Sequence, residues 1–117
     1  MLLDAPCSGT GVLSKRADLR WRRTLDDLET LAALQDQLLD AAIRHVRPGG
    51  LLVYSTCSIE PEENIDRVRA FLDRHSDVAL ESVAGFVPPA LEDAGLYRAL
   101  PHLHHTDGAF AARLRRR

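Results

Sequence analysis

The chain has 117 residues, 45% of them hydrophobic and 27% charged, with a formal net charge of -2. That length suits one small globular domain, too long to depend on disulfide or metal staples and too short for two ordinary domains. Two cysteines without a CxxC pair argue against a secreted disulfide scaffold and a structural zinc site; with no membrane-length apolar run and no signal-peptide pattern, the expected compartment is the cytoplasm.

In chain order, MLLD reads as the end of a strand and runs into the small-residue turn APCSGTG. Thr24, with Asp27 three places on, resembles a capping box. Beyond it Leu28, Leu31, Leu34, Leu38, Leu39, Ile43 and Val46 recur at helical spacing and predict one long amphipathic helix. Arg47-Pro48-Gly49-Gly50 stops it. LLVYS is a continuous apolar run of the kind found in a parallel strand buried on both faces. After the loop TCSIE, Pro61 suits the first turn of a second helix, which carries Ile65, Val68, Phe71 and Leu72 on one face and reaches about His75. VALESV predicts a strand. Leu96 to Leu100 and Ala109 to Leu114 predict two more, joined by PHLHHTDG with its Asp-Gly turn.

Strand, helix, strand, helix and then closely spaced strands describe half of an α/β sheet. In such sheets ligands bind beyond the carboxyl ends of the parallel strands. Asp4 to Cys7 and Thr56 to Ser58 both fall at such ends, in loops after adjacent strands. Cys7 and Cys57 should therefore lie close in space, although fifty residues separate them.

Charge is unevenly placed. Lys15, Arg16, Arg20, Arg22 and Arg23 cluster in KRADLRWRR, and Arg113, Arg115, Arg116 and Arg117 close the chain. The two islands could form one phosphate-binding patch, or be solvated helix and tail charges. Trp21 could stack on a base or pack against the long helix. His102, His104 and His105 lie in a turn with no partner cysteine, which fits surface or loop roles better than a metal site.

The residue types at the two loops suggest a chemistry. Cytosine is a poor nucleophile at C5, but a thiolate added across C6 makes C5 enamine-like and able to attack an electrophilic methyl group. A base must then remove the C5 proton. Covalent catalysis divides one hard step into easier ones, and two cysteines and an aspartate at converging loop ends would supply the parts. Against this, free cysteine is often a small buried hydrophobe.

The segments LLDAPCSGTG, LQDQLLDAA, RPGGLLVYSTCSIEPEEN and DGAFAARL, over essentially the whole chain, resemble the Sun/Fmu-type (RsmB-like) RNA cytosine-C5 methyltransferases. The resemblance implies the second half of a Rossmann-like class I S-adenosylmethionine-dependent methyltransferase sheet, residues 1–117 being the C-terminal portion of the catalytic domain. It implies that Cys57 is the nucleophile attacking C6, that Cys7 assists release of the methylated product, and that Asp4 contacts S-adenosyl-L-methionine. Pro6 would aim Cys7, and Thr56 and Ser58 would orient the Cys57 loop. Lys15, Arg16, Arg20, Arg22 and Arg23 would contact RNA phosphates, with ribosomal RNA the implied substrate. DNA cytosine-C5 methyltransferases use the cysteine of a Pro-Cys motif instead, which would name Cys7, but the TCS and PEEN segments favour Cys57.

The family binds its cofactor mainly through an upstream motif of the type DxCAAPGGKT, which this sequence lacks. The expectation is a longer enzyme whose remaining sheet lies in cis, or a split enzyme completed in trans. A non-catalytic RNA-binding remnant is the third reading. A half-sheet on its own exposes an apolar edge and should be unstable or oligomeric.

Overall fold

The computed structural model describes residues 1–9, 25–104 and 107–117. Its elements in chain order are β1 (Leu2–Asp4), α1 (Leu25–Ile43), β2 (Leu51–Thr56), α2 (Ile65–Arg74), β3 (Val78–Glu81), a 3-10 turn (Pro89–Leu91), β4 (Glu92–Asp93), β5 (Leu96–Ala99), α3 (Pro101–His104) and β6 (Ala109–Arg116). The sheet runs β1-β2-β6-β5-β4. β1 and β2 are parallel, joined by α1 as a crossover; β6 then inserts antiparallel beside β2. The outer edge of β6 is shared, its first residues pairing with β5 and its last with β3.

The predicted strands and both long helices are present, with three adjustments. α1 ends at Ile43, and Val46 packs into the core from the turn beyond it. There Gly49 takes φ +83, and a Cβ on Gly50 would lie 2.8 Å from the Arg47 carbonyl oxygen. α2 begins at Ile65, with Pro61 in the turn before it. PHLHHTDG is not only a turn, because Pro101–His104 forms one helical turn in which His104 Nδ1 accepts from the Leu100 N–H at 2.9 Å.

β2 also departs from expectation. Leu52, Tyr54 and Thr56 are buried, whereas Leu51, Val53 and Ser55 are only half-buried. The reason is that α1 and α2 lie side by side, so only one face of the strand is fully covered. On that face Leu39 and Ile43 from α1 and Val68 and Phe71 from α2 join Leu52, Tyr54, Phe110, Ala112 and Leu114 in one core. Burying side chains of this size contributes roughly 1.5–3 kcal/mol each. The two helices are also tied by ion pairs, Arg67 to Asp36 at 2.6 Å and Arg74 to Asp40 at 2.9 Å. Burial alone would raise the Asp40 carboxyl, but hydrogen bonds from His75 and Arg74 outweigh it and hold the group low.

The buried stripe of α1 is Gln35, Leu39 and Ile43, while the predicted stripe member Leu34 is 39% exposed. A polar side chain thus occupies a core position, at the end of the helix nearest the strand ends. Thr24 and its capping-box role lie outside the described residues.

Candidate active site

The parallel register sets Leu2 beside Val53, Leu3 beside Tyr54 and Asp4 beside Ser55. The Ala5 N–H extends this ladder by donating to the Ser55 carbonyl at 2.9 Å. Both chains therefore leave the sheet at the same end and in step, which brings Cys7 Sγ to 3.1 Å from Cys57 Sγ. Cys57 is exposed and Cys7 half-buried. Burial first, then the thiol–thiol hydrogen bond with Cys57, pushes the Cys7 thiol from 9.0 up to about 12. Cys7 thus holds its proton well above the usual thiol range, with its sulfur beside that of Cys57.

Two consecutive buried residues, Glu63 and Asn64, hold the two loops. The Glu63 carboxylate accepts from the Ser8 N–H and the Ser8 hydroxyl, each at 2.7 Å. Gln35 Nε2 donates both to that carboxylate at 3.2 Å and to the Pro6 carbonyl at 2.9 Å. Residues on both sides of Cys7 are therefore tied to one anchor. Asn64 serves the other loop: its Oδ1 accepts from the Thr56 hydroxyl at 2.6 Å, and its Nδ2 donates to the Ser58 carbonyl at 2.8 Å. These are again the residues flanking a cysteine. Tyr54 closes the network by donating to the Glu63 carbonyl at 2.6 Å. Burial first, then the Glu63 charge, raises the Tyr54 phenol above its ordinary value.

Asp4 ends β1 with an exposed carboxylate that accepts from the Ser55 hydroxyl at 3.0 Å. On the other side of the cysteine pair a cavity of about 240 Å³ opens two residues past Cys57, lined by Ile59, Asn64, Arg69, Leu96, Arg98 and Phe110. Lys15, Arg16, Arg20, Arg22 and Arg23, with Trp21 and His105, lie outside the described residues. The C-terminal arginines do not join the site. Because β6 is antiparallel to β2, Phe110 stands beside Thr56 while Arg115 stands beside Leu51, at the far end of the sheet. There Arg115 pairs with Glu81 at 2.8 Å, Arg113 lies 4.3 Å over the Phe86 ring, and Arg116 donates to the carbonyls of Ile43, the last residue of α1, and of Val46 in the turn beyond it. These three guanidiniums have partners within the fold, and the Lys15–Arg23 stretch that would form the rest of the expected patch lies outside the described residues.

Glu63, Asn64, Gln35, Ser8 and Tyr54 were not among the expected site residues. Gln35 carried a signal, a polar side chain four residues from the apolar positions Leu31 and Leu39 on the helix face. Glu63 carried none, since a glutamate in an acidic run reads as solvated surface.

A parallel β1–β2 pair with the site at its carboxyl ends, flanked by antiparallel β6, is part of a Rossmann-like methyltransferase sheet. Solved neighbours share it. NSun6 from Pyrococcus horikoshii, solved with SFG, superposes with a TM-score of 0.81 at 40% identity, covering 98% of this chain and 29% of that one. A methyltransferase homologue protein from the same organism superposes at 0.78 with 36% identity, covering 99% and 38%. The family described as 16S rRNA methyltransferase RsmB/F matches residues 1–115, and the chain belongs to it. Among curated relatives, ribosomal RNA small subunit methyltransferase B of Pectobacterium atrosepticum is 45% identical over 114 residues, 97% of this chain and 25% of that protein. Its counterpart in Shewanella oneidensis is 44% identical, with 97% and 26% covered. The chain thus spans about a quarter of the length of these relatives.

Proposed function

We propose that residues 1–117 are the C-terminal portion of the catalytic domain of an RNA cytosine-C5 methyltransferase, acting on ribosomal RNA in the cytoplasm. The observation that carries this reading is the Cys7–Cys57 contact of 3.1 Å at the ends of adjacent parallel strands, in a chain of the RsmB/F family. Cys57, the exposed thiol, adds to C6 of a cytosine unstacked from its strand, and C5 becomes the nucleophile. S-adenosyl-L-methionine supplies the methyl group. The residues present fit part of its site: the exposed Asp4 carboxylate at the β1 edge is the contact this chain offers. Cys7, half-buried and proton-holding, stands beside the Cys57 sulfur, where it assists β-elimination once the C5 proton is removed. The basic stretch from Lys15 to Arg23 meets RNA phosphates. The rest of the cofactor site is supplied in cis or in trans.

The test grafts this chain into the Pectobacterium relative in place of the colinear quarter it matches. Denaturation-resistant RNA adducts and methyl transfer are then measured. Cys7→Ala should accumulate adduct, and Cys57→Ala should form none and transfer no methyl group. The reverse pattern would name Cys7 as nucleophile. RNA binding by the unmutated graft without methyl transfer would favour a non-catalytic remnant.

A further inference from the structure

We propose that Glu63 and Asn64 act as a paired positioning element, Glu63 setting the Cys7 loop and Asn64 the Cys57 loop, so that one rigid turn fixes the spacing of the two thiols. Three observations carry it. Both residues are buried, Glu63 fully. They divide the loops between them: Glu63 takes Ser8 and, through Gln35, Pro6, whereas Asn64 takes Thr56 and Ser58. Because they are adjacent in sequence, any displacement of one carries the other with it.

The third observation concerns what Asn64 does not do. It occupies the N-cap position of α2, where an asparagine ordinarily accepts from the first backbone N–H groups of its helix. It makes no such side-chain bond. Both ends of its amide are used on the Cys57 loop instead, leaving the helix without that cap. Likewise a glutamate is rarely buried without a cation beside it. Among the described residues, the hydrogen bonds to the Glu63 carboxylate come from neutral donors, Ser8 of the Cys7 loop and Gln35. Such a network rigidifies the groups it joins: the Glu63 carboxylate and both ends of the Asn64 amide are engaged, while the buried Oε1 of Gln35 has no partner among the described residues. Its catalytic meaning rests on the cysteine chemistry proposed above, but the thiol spacing can be measured without RNA or cofactor.

The probe is phenylarsine oxide, which bridges two neighbouring thiols: the arsenic bonds to both sulfurs, both S–H protons leave with the oxide oxygen as water, and no electrons are transferred. Titration of the chain should show one arsenical per molecule, with Cys7 and Cys57 both blocked. Glu63→Gln keeps one oxygen to accept from the Ser8 N–H and from Gln35, and its amide N–H can donate to the Ser8 hydroxyl oxygen in place of the accepted bond. It should bind as the wild type does. Glu63→Leu and Asn64→Ala should each weaken bridging at least about tenfold. Leu114→Ala, a core change at the centre of β6, should lower the melting temperature yet leave bridging unchanged. If Glu63→Leu does not fold by circular dichroism, Glu63→Asp, one methylene short, replaces it with the same expectation. Wild-type-like bridging in the Glu63 and Asn64 variants, equal loss in Leu114→Ala, or no bridging in the wild type would overturn the proposal. Failure of methyl transfer alone would count only against the function proposed above.

Discussion

The raised Cys7 thiol has a direct chemical readout. An ordinary thiol at 9.0 is about one-tenth thiolate at pH 8, whereas one pushed up to about 12 is about one ten-thousandth thiolate. That is roughly a thousandfold loss of the reactive form. The remaining thiolate is intrinsically more nucleophilic, which returns about 15- to 30-fold for a Brønsted coefficient of about 0.4–0.5. Cys7 in the folded chain should therefore react with iodoacetamide about 30- to 60-fold more slowly than the same residue in urea. Cys57, exposed at the loop tip, should be modified first. Pulsed alkylation with peptide mass spectrometry measures both. The sign follows from the neutral form being the protonated one. Protection of Cys7 holds below pH 9 and is lost as pH rises towards 12. The folded state loses stability over the same window, because the unfolded chain ionises this thiol first. Cys57→Ala removes the hydrogen bond and the charge but not the burial, so the Cys7 midpoint should fall part of the way back. A Cys7 rate equal to that in urea, or levelling off near pH 9, would refute the reasoning.

Other expectations are simpler to state. Tyr54→Phe removes the donor 2.6 Å from the buried Glu63 carbonyl and should cost about 1–3 kcal/mol. With about 2.1 cal/mol/K per residue of unfolding entropy, the melting temperature should fall by about 4–12 °C. Leu114→Ala truncates a fully buried side chain of β6 and should cost about 2–5 kcal/mol in a urea titration. Gly50→Ala forces a Cβ to 2.8 Å from the Arg47 carbonyl oxygen and Val46 Cγ1, so it should destabilise by about 1–3 kcal/mol in the same assay. Charge reversal at Arg20 and Arg22 should weaken RNA binding and flatten its salt dependence; unchanged binding would return these residues to the solvated-face reading.

The order of strands and helices was legible in the sequence because it rests on local periodicity. Spacing along LAALQDQLLDAAI is helical, LLVYS is an apolar run between breakers, and each element forms from neighbours within a few residues. The meeting of Cys7 with Cys57 was also legible, since two parallel strands joined by one helix crossover leave the sheet at the same end. Only the tertiary structure decided the matters that depend on distant partners. The antiparallel insertion of β6 sends Arg115 and Arg116 to the far end of the sheet, away from the cysteines, and no local pattern of arginines encodes that. The one-sided covering of β2 depends on α1 and α2 sharing a face. Above all, Glu63 looks like one more acid in EPEEN, and its burial is set by Ser8, fifty-five residues away, and Gln35, twenty-eight away. A polar side chain is placed by where its hydrogen-bonding partners converge, and for this one they come from the loop after β1 and from α1.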